Sequence, residues 1–193
     1  MATTEYGTYY LADNPSKYQP VRTNNFRVFV YGLEHLLRAG EDEENEDSYI
    51  EDASEVLEFS TESFSIPSFS QATIDVNRGN SQVHFAGKAS FDPGNSLNIY
   101  DFYSGDGKSV LYAWQRLSYD VLNDTIPSST KYKKKMVILE YLPDNTLIRS
   151  WTLYGCWVSK VSETEISYGG GDQKKVTATI VYDRAVPEIN KEG

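Results

Sequence analysis

The stretch ATIDVNRGNSQVHF, residues 72–85, decides the fold class because it has the pattern of a β-hairpin. In its first arm the apolar Ile74 and Val76 flank the polar Asp75, and the second arm repeats the alternation around a histidine. Strict alternation of this kind is typical of a half-buried strand. The residues between the arms, 77–80, read Asn-Arg-Gly-Asn and form turns readily. Two such arms around a turn predict an antiparallel pair.

Similar patterns on both sides of this hairpin predict a mainly β chain. The segment 56–64 alternates apolar and polar side chains, so we expect a strand with two distinct faces. One amphipathic helix is predicted, because Val110, Trp114 and Val121 lie on one stripe at helical spacing. The chain then contains about eight strands and one helix. The remaining predicted strands are 26–31, 97–102, 136–142, 147–154, a segment ending at 166, and 176–182.

Charge and composition restrict the function classes. The 193 residues fit one soluble domain, and no apolar run approaches the roughly 18 residues of a membrane span. The net charge is −10, but eight acids and no base lie within residues 41–52, which leaves 20 acids against 18 bases elsewhere. A nearly neutral remainder argues against binding nucleic acid through a basic surface. The single cysteine excludes an intrachain disulfide and a cysteine-based zinc site.

Residues with catalytic potential are scattered rather than grouped. The two histidines, His35 and His84, and the cysteine, Cys156, lie in separate segments. The sequence Gly-Asp-Gly-Lys-Ser at 105–109 is similar to the end of a phosphate loop, but Phe102 stands where that motif needs its upstream glycine. The acidic segment lacks the spaced acids and central glycine of an EF-hand loop. We therefore expect no enzyme activity, no metal site and no cofactor.

Several individually weak motifs occur in an order that is informative as a set. They are NFRVFV (25–30), FSIPS (64–68), IDVNR (74–78), VHFAG (83–87), FD (91–92), WQ (114–115), KYKK (131–134), LYGCWV (153–158) and the strand 176–182. Together they span residues 24–184. In this order the motifs resemble the tail tube proteins of contractile-tailed bacteriophages, which are related to the tube proteins of type VI secretion.

The resemblance implies a fold and a domain organisation. The implied fold is a two-sheet β-sandwich or barrel of about eight strands with one flanking α-helix, and its sheets join into a continuous barrel in a ring. Residues 1–23 would be an extended arm, 24–184 the tail-tube β domain with an acidic insertion at 41–52, and 185–193 a C-terminal tail. Ring closure would pair sheet edges that are otherwise open to aggregation.

The resemblance also implies a structural function. Six copies would form a ring, and stacked rings would surround a channel for passage of the genome. The expected partners are other copies of the chain and the tail sheath, baseplate and tape-measure proteins, whereas DNA would pass through the lumen without specific binding and no membrane would be contacted. The expected location is the virion tail, preceded by the host cytoplasm. A monomeric β-sandwich that binds carbohydrate or another ligand through Tyr and Trp side chains is the alternative.

The candidate functional residues form three groups. The predicted ring-stacking hairpin contributes Asp75, Asn77, Arg78, Gly79 and Asn80. The polar side of the strand 56–64 contributes the candidate lumen-facing residues Glu58, Ser60 and Glu62. The acidic insertion contributes Glu41, Asp42, Glu43, Glu44, Glu46 and Asp47, and its position on the lumen or on the exterior is left open.

Overall fold

The computed structural model describes residues 20–34, 36–37, 49–50, 52–92, 94–103, 106–121, 123–169 and 171–189. The helices are α1 (Ala53–Ser60), α2 (Asp106–Arg116) and α3 (Ser129–Tyr132). The strands are β1 (Phe26–Tyr31), β2 (Leu36–Leu37), β3 (Tyr49–Ile50), β4 (Thr61–Phe64), β5 (Phe69–Arg78), β6 (Ser81–Phe91), β7 (Asn95–Tyr100), β8 (Lys134–Tyr141), β9 (Leu147–Glu163), β10 (Lys175–Val181) and β11 (Arg184–Ile189).

Seven of these strands form one antiparallel sheet in the order β1-β8-β9-β10-β7-β4, with β11 also pairing with β9. The long strand β9 divides this sheet in two, because it pairs with β8 and β11 up to Cys156 and with β10 from Trp157 onward. We call β1, β8, β11 and the start of β9 the first half-sheet. The second half-sheet consists of residues 157–163 of β9 with β10, β7 and β4. Within the described residues the sheet does not close into a barrel.

Gly155 lies where β9 passes from one half-sheet to the other. Its backbone has a φ of +70°, which L side chains rarely adopt, and a Cβ at this position would collide with the side chain of Asp183. The carboxylate of Asp183 in turn accepts hydrogen bonds from Lys133 Nζ at 2.8 and 2.7 Å. Glycine is therefore required here by both conformation and space.

The core lies on one side of the sheet, under α1 and α2. The alternation predicted for 176–182 is confirmed: Val176, Ala178 and Ile180 of β10 are fully buried. The largest buried side chain is Trp114 of α2, whose Nε1 donates to the carbonyl of Tyr132 at 3.2 Å. The two helices thus cover the apolar side of the sheet and leave its other side outward.

The predicted strand 56–64 is wrong over most of its length. This segment is the end of α1, followed by the short strand β4. Ala53, Leu57 and Ser60 are buried at helical spacing, whereas Phe59, which a strand would place on the same side as Leu57, is 72% exposed. The alternation of apolar and polar residues at 56–64 is coincidental, because a short helix can also carry polar residues at every second position.

Other boundaries also differ from the expectations. The helix predicted to include Val121 is α2, which ends at Arg116, and Val121 beyond it is 70% exposed. The two strands predicted on either side of 155–158 are one continuous strand, β9. Residues 185–189, assigned to the C-terminal tail, belong to β11 in the main sheet. The counts also change, to eleven strands and three helices in the described part of the chain.

The acidic insertion and the N-terminal arm fall largely outside the described residues. This holds for Glu41 to Asp47 and for residues 1–19. The far end of the predicted insertion, however, belongs to the folded chain, since Ile50 in β3 is buried and pairs with Leu36.

Candidate assembly surfaces

The hairpin formed by β5 and β6 projects from the rest of the described chain. Every residue of β5 is exposed, and the strands are joined by a two-residue turn in which Gly79 has a φ of +61°. Glycine at positive φ in the first central position is typical of a type II′ turn, which suits the twist of paired strands. The base is anchored by Phe91, whose ring lies 5.8 Å from that of Phe69 and 6.1 Å from that of Tyr182. The predicted hairpin is confirmed, and it is longer than expected.

The hairpin has one apolar and one polar face. On the apolar face, Ile74 is paired with Phe85 and Val76 with Val83, and these four side chains are 38–55% exposed. On the polar face, Asp75 Oδ1 lies 2.6 Å from His84 Nδ1, and Asn77 is paired with Gln82. A four-residue apolar face with no described part of the chain covering it is characteristic of an interaction surface.

The predicted ring-stacking residues all lie in the outer part of this hairpin. Asp75 and Asn77 are on the polar face, Gly79 and Asn80 form the turn, and Arg78 is paired with Ser81 beside it. The sequence prediction therefore identified the tip but placed no emphasis on the apolar face behind it. The sequence does indicate this apolar face, since its apolar residues alternate with Asp75 and His84.

The three candidate lumen-facing residues do not share one face. Glu58 lies on α1, with its Oε1 3.7 Å from Arg27 Nη1. Ser60 is buried against Gly107 of α2, where a Cβ would come within 3.0 Å of its hydroxyl oxygen. Only Glu62 belongs to a strand, β4. The strand alternation that grouped them is absent, and their role at a channel stays a prediction.

Glu62 is tied to two partners on the outward face of the second half-sheet. Its Oε1 accepts a hydrogen bond from the hydroxyl of Tyr100 at 3.1 Å and forms an ion pair with Lys175. The hydrogen bond from the Lys175 ammonium lowers the pKa of Glu62, and the same carboxylate raises the pKa values of Lys175 and Tyr100. The negative charge of Glu62 is therefore neutralised locally.

The rest of this outward face is made of short polar side chains that satisfy one another. Asn98 Nδ2 donates to Ser63 Oγ at 2.9 Å, and Thr177 Oγ1 donates to Asn98 Oδ1 at 2.7 Å. Ser162 Oγ donates to the Thr177 carbonyl at 3.3 Å. We call this surface, together with Glu62 and its partners, the polar sheet face. The hydroxyl and amide groups of this face offer water a hydrogen-bonded surface.

A second charged cluster fastens α2 to the opposite, core-facing side of the same half-sheet. Glu163 lies 2.7 Å from Lys108 Nζ and 2.9 Å from Lys174 Nζ, and it accepts a hydrogen bond from Tyr112 at 2.9 Å. The same lysine, Lys174, lies 3.1 Å from Asp101. The two ammonium groups lower the pKa of Glu163 to about 2. This cluster joins elements of one chain and is structural.

The described residues offer little for catalysis. They contain no group of three or more His, Cys, Asp or Glu side chains placed to hold a metal ion. Cys156 is buried, and desolvation raises the pKa of its thiol to about 12, so the thiol is neutral at physiological pH. None of the helices formed by this part of the chain is long and apolar enough to cross a bilayer.

Comparison with known proteins gives a result at the level of structure alone. No protein-family model matches the sequence, and the search of curated proteins found no match. Among solved structures, a chain of the sheath-tube complex of an extracellular contractile injection system (PVC, extended state) superposes with a TM-score of 0.61 and 17% identity, covering 93% of this chain and 100% of that one.

Two further structures agree with this result. The PVC sheath/tube terminator gives a TM-score of 0.60 at 17% identity, covering 88% of this chain and 97% of its own. The tube-terminating cap of the anti-feeding prophage gives 0.60 at 16% identity, with 89% and 93% covered. The resemblance to tail tube proteins is thus confirmed for the fold, which this chain shares with components of contractile injection systems.

Proposed function

We propose that this chain is a structural subunit of a tail tube, which assembles into hexameric rings that stack around a channel. The observation that carries the proposal is the exposed apolar face of the β5–β6 hairpin. A two-stranded hairpin is at best marginally stable alone, and beyond its anchored base this one buries neither face against the described chain. Contact with another copy would bury the apolar face and order the hairpin.

In this proposal the hairpin stacks one ring on the next. Such a contact joins different surfaces of two copies, and a heterologous contact along an axis produces an open filament rather than a closed oligomer. The tail sheath, the baseplate and a tape-measure protein are the proposed further partners, in a virion tail or a related injection particle. The polar sheet face is the proposed channel wall. Of the three candidate lumen-facing residues, only Glu62 lies on it. The genome of a phage is the proposed cargo, passing without specific binding.

The arrangement of the tryptophans argues against a carbohydrate-binding module that uses tryptophan, whereas exposed tyrosines such as Tyr103 and Tyr168 leave the tyrosine part of that alternative open. Trp114 is fully buried, while Trp151 and Trp157 are only partly accessible. Trp157 packs edge-on against Tyr132 at 6.0 Å. Stacking of a sugar needs an aromatic face open to solvent, and none of the three tryptophans offers one.

The test is the assembly state of the purified chain. Negative-stain microscopy and light scattering should find rings or tubes for the wild type. Deletion of residues 77–80 should leave a soluble subunit with unchanged circular dichroism that no longer stacks, because the contacts at the hairpin base remain. A wild-type chain that stays monomeric at high concentration, or normal tubes from the deletion variant, would contradict the proposal.

A further inference from the structure

The side of the first half-sheet that faces away from the core is an open surface in the described part of the chain. On the core side, Val28, Met136 and Leu153 are buried. Successive side chains of a strand point to opposite sides of the sheet, so the residues between these positions point outward. Phe29 and Val137, for example, are partly accessible and stand outside the buried core cluster. The outward side of this half-sheet thus keeps apolar side chains within reach of another molecule.

Three cross-strand rows make up this outward side, each formed by residues that lie opposite one another in neighbouring strands. The first row is Tyr31, Lys135, Tyr154 and Arg184, the second is Phe29, Val137, Thr152 and Val186, and the third is Arg27, Leu139, Ser150 and Glu188. We call these three rows the basic sheet face. At ordinary strand spacing the face measures roughly 20 by 20 Å, or about 400 Å².

The first row combines two aromatic rings with two cations. Lys135 Nζ lies 5.7 Å from the ring centroid of Tyr31 and 5.9 Å from that of Tyr154, so both rings attract the ammonium. The two tyrosines are 53% and 46% exposed. Neither Lys135 nor Arg184 forms an ion pair with a described residue. Exposed tyrosine and arginine side chains are typical of the residues that dominate protein–protein contacts.

The basic sheet face is a local exception in an acidic chain. The chain carries a net charge of −10, whereas this face holds three bases and one acid, Glu188. Of the three bases, Arg27 lies 3.7 Å from Glu58 and is partly compensated. The uncompensated positive charge is therefore concentrated in the first row, directly beside the apolar second row. A surface with this arrangement is complementary to a segment that carries carboxylates next to apolar side chains.

We propose that the basic sheet face is a docking surface for an acidic amphipathic segment of a different protein. The carboxylates of that segment would pair with Lys135 and Arg184. A guanidinium can donate two parallel hydrogen bonds to one carboxylate, which favours a carboxylate over other acceptors. The apolar side chains of the segment would cover Phe29, Val137 and Val186, and burial of these side chains would supply the non-polar part of the affinity.

The partner is a different protein because of where this face would lie in an assembly, and in this respect the inference rests on the proposed function. The two half-sheets contribute to a single buried core, so their outward faces point away from each other. If the polar sheet face lines the channel, the basic sheet face lies on the outside of the ring. One face of about 400 Å² is half of the roughly 800 Å² that one partner buries in a standard complex, so repetition around the ring would be needed for tight binding.

The test is a binding titration of the free subunit with two defined peptides. One is a fluorescein-labelled helical peptide with a leucine stripe flanked by glutamates, and the other has lysine in place of every glutamate. The net charge of the chain favours the lysine peptide, so a preference for the acidic peptide reports the local face. We expect fluorescence anisotropy to show the acidic peptide binding about tenfold more tightly. Equal affinity, or a preference for the lysine peptide, would overturn the proposal.

Variants locate the binding on the surface. Lys135→Glu/Arg184→Glu should weaken binding of the acidic peptide by about tenfold or more. The matched control, Lys88→Glu/Lys160→Glu, makes the same change in net charge at exposed positions outside the face and should change the affinity less than about threefold. An equal loss in the control would refute a local site. If circular dichroism shows that the charge-reversal variant does not fold, Lys135→Gln/Arg184→Gln takes its place with the same expectation.

Assembled protein separates this inference from the proposed function. Tubes should bind the acidic peptide as the free subunit does. Tubes that form but do not bind it would show that a second copy covers the face, which overturns the docking of a different protein and leaves the tube role intact. A chain that forms no rings would overturn the proposed function, whereas the peptide preference of the subunit would still decide the docking surface. A tenfold gain in affinity on deletion of residues 1–19 would make that segment the occupant and would also overturn the proposal.

Discussion

The exposed apolar face of the hairpin allows a quantitative prediction. Replacing Val76 and Val83 by threonine keeps side-chain shape and β-branching and changes only the polarity of a directly paired residue couple. Each valine is 38% exposed in the single chain. Complete burial of an aliphatic side chain contributes roughly 1.5–3 kcal/mol, and burying a hydroxyl without a partner is unfavourable. If stacking buries the exposed part of each valine, each substitution by threonine should weaken the contact by about 1 kcal/mol.

Two substitutions then weaken each hairpin contact by about 2 kcal/mol, or about 30-fold in an equilibrium constant. The measurable quantity is the critical concentration for tube formation, obtained by sedimentation over a dilution series at fixed salt and temperature. We expect it to rise about 30-fold, with the melting temperature of the unassembled subunit nearly unchanged, because these side chains do not contribute to the core.

The matched control is Gln82→Thr, which alters the opposite face of the same hairpin at a position outside the predicted ring-stacking set. It should change the critical concentration less than threefold. A critical concentration for Val76→Thr/Val83→Thr within twofold of the wild type would refute the idea that the apolar face is buried on stacking. An equal rise for the control would show that hairpin stability, rather than the apolar face, limits assembly.

Three further predictions concern the subunit. Gly155→Ala should lower the free energy of unfolding by about 2 kcal/mol or more, measured by urea titration, because a Cβ meets Asp183 and the φ is positive. Adding Asp183→Ala to that variant should restore only the part of the loss that comes from the steric clash. Glu163→Gln should lower the melting temperature most above about pH 5. Because the folded-state pKa is depressed from 4.5 to about 2, the stability from the carboxylate is present above pH 4.5 and lost as pH falls toward 2, so the variant and wild-type melting curves should converge there. Replacing residues 41–47 by a Gly-Ser linker should preserve folding and ring formation and change the salt dependence of assembly; a subunit that no longer folds would make the segment structural.

Sequence periodicity predicted the secondary structure correctly where the pattern fits a strand and not a helix. The alternation in β10 and in the hairpin fixed strands whose two sides have different surroundings. It failed at 56–64, where Leu57 fits a strand and a helix equally, and the burial of Ala53 and Ser60 with the exposure of Phe59 shows a helix. It also missed β11, since Pro187 in a six-residue segment removes the usual strand signal.

The candidate surfaces were predictable only in part. The hairpin is local in sequence, so its faces follow from its own residues. The polar sheet face is not local: Glu62 and its ion-pair partner Lys175 are separated by 113 positions. No spacing rule connects such residues before the order of strands is known, and this is why the predicted lumen set contained one member of that face and two residues of α1.

The position of β9 near the end of the chain has a consequence for biosynthesis. Five of the six ladders that build the main sheet involve a strand beginning at Lys134 or later, and only the β4–β7 ladder can form before that point. Strand β1, the earliest of the described strands, waits for β8, more than 100 residues behind it. Closing such distant pairs is slow compared with forming helices or hairpins. Until the strands from Lys134 onward have been made, therefore, the nascent chain holds an unfinished sheet, and the β5–β6 hairpin can form before most of the sheet that will anchor it.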